Sequence, residues 1–228
     1  MIKKILWFFS AVIILSLLLT VSLDFFNPPV WMWKIQRSLN PPAHYPQKVH
    51  HQWVSWGHIA NNMKLAVIAS EDQLYARHHG FDLQAIHKAF NSNLQGKRVR
   101  GASTISQQTA KNLFLWPSKN ILRKGIEAWF TLCMELLLSK QRILEIYLNI
   151  IEFGPGIFGV EAASQYYFYK PAAQLTQKQA ARLAAVLPNP YRFHVKQPSA
   201  YIKKRIVWIE KQMRQLGMAE LQKIITKS

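Results

Sequence analysis

Hydrophobic and polar positions divide the chain into one unbroken apolar block followed by a long stretch of helical periodicity. Residues Ile5 to Leu23 carry no charge and are dominated by Leu, Ile, Val and Phe, and about 20 such residues cross a bilayer as a helix. From Asn27 to Pro46 there are five prolines and no clear period, which predicts a linker lying along a surface. Helical patterning begins near Ile59 and runs through Glu71 to a stop at Gly80. Asp82 caps the next expected helix, which ends at Gly96, and a glycine-bounded basic loop follows over residues 96–101.

Thr104 and Gln107 have the spacing of a capping box, so another helix starts there. Further helices are expected over Ile121–Leu138, Lys140–Asn149 and about Val160–Phe168, with a glycine-rich tight loop before the last. Thr176 and Gln179 form a second capping box, and Pro188-Asn189-Pro190 stops the alanine-rich helix behind it. A final amphipathic helix spans about Ala200 to Leu216, with Gly217 after it and one turn more. No alternating strand is visible beyond the anchor, so the fold class is mostly α. The expected organisation is a tip and anchor over 1–26, a juxtamembrane linker over 27–49 and one domain over 50–228.

Lys3 and Lys4 precede the apolar block, and Phe25, Phe26, Trp31 and Trp33 follow it as an interfacial aromatic belt does. A cleavable leader is the rival reading, with Thr20-Val21-Ser22 as its weak cleavage signal. The block is longer than the 7–15 apolar residues or so of a leader core, which favours a retained anchor. Charge flanks both ends, so charge alone leaves the orientation open.

The formal net charge is +18, from 29 Lys and Arg against 11 Asp and Glu. Such a surplus favours an anionic partner: nucleic acid, an anionic membrane surface or a phosphorylated substrate. No nucleic-acid recognition module is present, so that role rests on charge alone. The single cysteine, Cys133, sits among Leu132, Met134 and Leu136 and reads as a buried, inert thiol. The adjacent pairs His50-His51 and His78-His79 lack the i, i+4 spacing of a helical zinc site.

Acids are few enough that one on an apolar stripe matters. Glu71 falls one turn after Val67 and one turn before Leu74 and Tyr75. A carboxylate there must be paired, protonated or open to a cleft, because burying it alone is costly. Clefts with such groups host acid–base chemistry; the bland alternative pairs Glu71 with Lys64 or Arg77. Ser, Thr and Gln crowd the first turn after Ser103, as suits sugar hydroxyls or phosphate oxygens at a positive helix end. Arg123 and Glu127 are spaced to pair on one helix face. Leu113-Phe114-Leu115-Trp116-Pro117 reads as core or, preferably, as a patch dipping into the bilayer.

Four segments, EDQLYARHHG (71–80), GASTISQQTAKN (101–112), RKGIE (123–127) and KQRILEIYLNIIEFG (140–154), stand together in order. In them the chain resembles the peptidoglycan glycosyltransferases, the polymerase domain also found at the front of bifunctional penicillin-binding proteins. Lacking Ser-x-x-Lys and Lys-Thr-Gly boxes, it is similar to the monofunctional form. Tyr75 stands where that family usually has Phe, which keeps a ring.

The resemblance implies a lysozyme-like glycosyltransferase domain behind a single transmembrane helix, held on the outer side of the inner membrane. It implies lipid II and lipid-linked growing glycan as substrates, with cell-wall synthesis or division proteins as possible partners. By motif position, Glu71 would be the general base for an inverting β-1,4 transfer that releases polyprenyl pyrophosphate. Glu127 matches a second important glutamate, acting directly or by orienting Arg123 and Lys124. Lys111, Arg123 and Lys124 match the pyrophosphate-neutralising cations. Asp72, His78, Ser103, Thr104, Gln107, Gln108 and Asn112 fall at motif positions as well, Asp72 and His78 expected to hold the site together. The loop at 96–101 would be a lid. No protein metal site is implied, although Mg or Mn could accompany the pyrophosphate.

Two other readings stay open: an anchored lytic transglycosylase or lysozyme-type hydrolase, and a non-enzymatic basic module that binds anionic lipid or glycan.

Overall fold

A computed structural model describes residues 2–94, 103–118 and 120–226, excepting the side chains of Phe90 and residues 92–94. Ten α-helices, two single-turn 3-10 helices and one small sheet are seen among the described residues. The basic loop at 96–101 and the expected helix end at Gly96 lie outside them.

The apolar block forms α1 (Ile2–Phe25), about 36 Å long and apolar enough to cross a membrane. The proline-rich stretch is not all irregular: Met32–Leu39 is a helix, α2. Eight residues between Pro28-Pro29 and Pro41-Pro42 are too few to show a period by eye. Trp31, just ahead of it, is fully enclosed against Phe158 and His51.

At the centre is α3 (Asn61–Glu71), buried continuously from Met63 to Ala69. A helix apolar on all sides must be wrapped, and two later helices wrap it: α9 (Gln177–Val186) and α10 (Ala200–Thr226). Helix does not continue to Gly80. It stops at Glu71, and residues 72–80 turn back with Tyr75 buried and its hydroxyl bonded to Lys140 O at 2.8 Å. Asp82 then caps α4 (Leu83–Leu94), its Oδ1 accepting from Ala85 N at 2.8 Å.

Helix α5 (Ile105–Phe114) opens on the expected capping box, with Thr104 and Gln107 exchanging both bonds. It packs between α6 (Ile121–Leu137) and α7 (Lys140–Ile150). Leu113 and Leu115 are core, and Phe114 stacks on Phe130 at 4.1 Å. Of that segment only Trp116 and Pro117 face out, so the reading of 113–116 as a bilayer patch is corrected. The outward apolar stripe lies instead on α6, at Ile121, Leu122, Leu132 and Leu136.

Three short strands, unseen in the sequence pattern, make a sheet of order β1-β3-β2: β1 (His50–His51), β2 (Glu152–Gly154) and β3 (Ile157–Phe158). β1 runs parallel to β3 and β2 antiparallel to it. Gly159 leads into α8 (Val160–Phe168) at φ +80, where a Cβ would lie 2.6 Å from Asn149 O; only glycine fits there. Helix α10 bends at Gly217 (φ +65) and continues to Thr226, longer than the single turn expected.

Candidate active site

The last residue of α3 points its carboxylate into a cavity of 1390 Å³ between α3, α5, the 187–193 segment and α10. Glu71 Oε2 accepts from Gln108 Nε2 at 3.1 Å, and Oε1 accepts from Arg205 Nη2 at 3.3 Å and Ser70 Oγ at 3.4 Å. Burial raises its pKa, while the Gln108 hydrogen bond and the Arg205 cation pull the other way. Desolvation outweighs both, leaving a carboxylate more basic than usual in a cleft. Neither Lys64 nor Arg77 is its partner. Lys64 bonds Asn61 Oδ1 at 3.0 Å and lies over the Trp56 ring at 4.0 Å.

Gln108 is itself fixed, since Tyr147 Oη donates to its Oε1 at 3.1 Å. That leaves the amide nitrogen to face Glu71, so α5 and α7 together orient the carboxylate. One turn on, Lys111 lines the same cavity. Burial is the main cause of its lowered pKa; Glu127 and Glu71 oppose that shift, and Arg123 and Lys124 add to it. Lys111 therefore lies within electrostatic reach of both acids, with no carboxylate salt-bridged to it among the described residues.

Behind it, Glu127 is enclosed in α6 and joined by both cations of its own helix. Arg123 Nη1 donates to Oε2 at 2.7 Å, and Lys124 Nζ bonds Oε1. Two cations on one carboxylate leave a net positive charge beside Lys111. Ser103, Gln108 and Lys111 line the main cavity with Glu71; Asn112 lines a smaller, adjoining one of 290 Å³.

Other motif residues brace the walls. Asp72 Oδ1 pairs with His78 Nε2 at 2.8 Å, and Oδ2 accepts from Ile105 N at 2.9 Å, tying the turn after α3 to the start of α5. Thr104 is spent on the capping box and on Gly80 O at 2.6 Å. Gln107 completes that box. None of these four lines either cavity, and the hydrogen bonds named here are made inside the fold.

The opposite wall went unseen in the sequence. Arg192, Tyr201, Lys204, Arg205 and Trp208 line the same cavity as Glu71, with Arg205 in contact with that carboxylate. In sequence, the run Lys203-Lys204-Arg205 on an amphipathic helix reads as a solvated face; only the packing of α10 on α3 turns Arg205 inward.

The matching family profile is described as Transglycosylase and covers residues 39–214. The chain belongs to the transglycosylase family. It is 58% identical over 209 residues to a protein of Shewanella oneidensis, covering 92% of this chain and 89% of that one. A protein of Aeromonas hydrophila is 56% identical over 212 residues, with 92% and 90% covered. One from Vibrio parahaemolyticus is 46% identical over 225 residues, with 97% and 100% covered. All three are named biosynthetic peptidoglycan transglycosylase. The family's fold is lysozyme-like and all-α, and the domain behind α1 is mostly helical. Among the described residues, no group of three or more His, Cys, Asp or Glu is placed to hold a metal ion.

Proposed function

We propose that the protein polymerises lipid II into linear peptidoglycan strands by inverting β-1,4 transfer, with α1 as a single-pass anchor and the cleft on the outer face of the cytoplasmic membrane. The observation that carries this reading is the pairing of one desolvated carboxylate, Glu71, with the cation Lys111 in one cavity, backed by Arg123 and Lys124. Glu71 takes the proton from the acceptor sugar's 4-hydroxyl as that oxygen attacks the anomeric carbon of the growing chain. The anomeric C–O bond breaks with its electron pair on the diphosphate, and the glycosidic bond forms on the opposite face.

A glycosidase protonates its leaving group because an alkoxide leaves poorly. A lipid diphosphate leaves as a stable anion, so fixed cations serve better than a second acid. That division matches the cleft: among the described residues lining it, Glu71 is the sole carboxylate. Glu127 acts as a positioning residue, holding Arg123 and Lys124 toward Lys111. The acceptor brings a diphosphate of its own, which suits Arg192 and Lys204 on the far wall. A divalent ion such as Mg or Mn would travel on the diphosphate oxygens as part of the substrate, since no carboxylate cluster to hold it is seen among the described residues.

Purified protein given labelled lipid II should extend glycan and release polyprenyl diphosphate in step. Cleavage of finished glycan with no extension would instead mark a hydrolase, and neither activity a binding module.

A further inference from the structure

The N-terminal helix is built into the domain. Its buried residues, Ser16, Thr20 and Leu23, share one face and meet the rest of the protein, while most of α1 is open. Ser16 Oγ accepts from Trp129 Nε1 on α6 at 3.0 Å. Near the other end of that face, Arg142 on α7 reaches the last turn of α1 and the residues after it. Its Nε donates to Leu23 O at 2.7 Å, and Nη2 donates to Phe26 O at 3.1 Å and Asn27 Oδ1 at 2.9 Å. The last carbonyls of a helix have no partner within it, and a guanidinium fork supplies one with favourable charge.

Arg142 is held from behind by Glu145 at 3.2 Å and lies 5.6 Å from the Trp53 ring centroid. Just beyond Asn27, the chain is locked again at the enclosed Trp31. Seven residues separate Ser16 from Leu23, about 10 Å along a helix. Two attachment points that far apart fix an axis, whereas one would leave a swivel. The receiving helix, α6, also carries Arg123, Lys124 and Glu127.

We propose that α1 is a docked part of the catalytic domain rather than a tether, and that Arg142 is the positioning residue that sets the tilt and height of the cleft over the membrane. This rests on reading α1 as the anchor and a lipid diphosphate as the substrate. A lipid-borne diphosphate sits at one depth in the bilayer, so cations fixed relative to the anchor meet it without a search. Loss of Arg142 leaves the catalytic groups untouched but frees the domain to swivel.

The test uses full-length protein in phosphatidylethanolamine–phosphatidylglycerol vesicles. On a Cys133→Ser background, spin labels go at Val12 on the open face of α1 and at Lys178 on the surface of the domain. We expect one narrow distance distribution in the parent and a broad one for Arg142→Ala, with Arg142→Lys between. Turnover of full-length lipid II in vesicles should fall about tenfold in Arg142→Ala, while a short-chain, water-dispersed analogue changes by less than about twofold. An unchanged narrow distribution, or equal loss on both substrates, overturns the proposal. The distance readout needs no activity: an inactive parent with the expected broadening would remove the functional reading and leave the docking intact.

Discussion

The two walls of the cleft solve opposite electrostatic problems. On the α5–α6 wall, positive charge is kept in excess: Arg123 and Lys124 share the single carboxylate of Glu127, and Lys111 stands beyond them, salt-bridged to no acid among the described residues. On the α3–α10 wall, burial raises the pKa of one carboxylate while Arg205 at 3.3 Å pulls the other way. A cation surplus suits the reception of an anion, and a desolvated carboxylate suits the removal of a proton. One wall without the other would bind substrate and leave the bond unmade.

The largest difference between the walls should appear on removing the base. Glu71→Gln keeps the amide-sized shape and should lower polymerisation by about a thousandfold, with binding of lipid II little changed. Initial rates and a separate binding titration check this; near-normal turnover would remove the assigned base. Next, Lys111→Ala and Arg123→Ala should each lower kcat by about a hundredfold, since they act on charge that develops as the diphosphate departs. Unchanged kcat in both would dismiss the cationic wall.

A subtler contrast is in pH. Arg205 favours the charged form of Glu71, so Arg205→Ala should raise that group's pKa further. The base must be ionised to act, and the acid limb of kcat should therefore move to higher pH. A limb that stays put, or moves down, would break the link between the walls. The smallest effect is expected at Cys133, buried within α6 with its thiol pKa raised by burial. Cys133→Ala should leave turnover unchanged and shift Tm by no more than about 4 °C.

Legibility of the fold followed the length scale of its signals. Capping boxes at Thr104 and Thr176 marked two helix starts to the residue because the code is local. The helices over 121–137, 140–150 and 160–168 were likewise readable from period and flanking breakers. The sheet was not, since β1 meets β3 from more than a hundred residues away and each strand is two or three residues long. The turn over 72–80 hid because Leu74 and Tyr75 extend the apolar period of α3 after the backbone has left it. Tertiary contact to Lys140 O decides that conformation.

The site divides in the same way. Glu71, Gln108, Lys111 and the Arg123–Lys124–Glu127 group carried local signals: an acid on an apolar stripe, a polar first turn, an i, i+4 pair. Arg192 and Arg205 are ordinary basic residues until the 187–193 segment and α10 close the cavity beside α3. Trp33 and Arg37 gave no sign either, yet both bond Glu152 Oε2, at 3.3 and 3.1 Å, and line the smaller cavity beside Lys111.

Strand growth from labelled lipid II, followed beside the fate of finished glycan under the same conditions, weighs the proposed chemistry as a whole. Purified protein should lengthen glycan, liberate one polyprenyl diphosphate per disaccharide added and leave finished strands uncut. Shortened strands with lipid II untouched would mean that Glu71 and its facing cations serve another reaction.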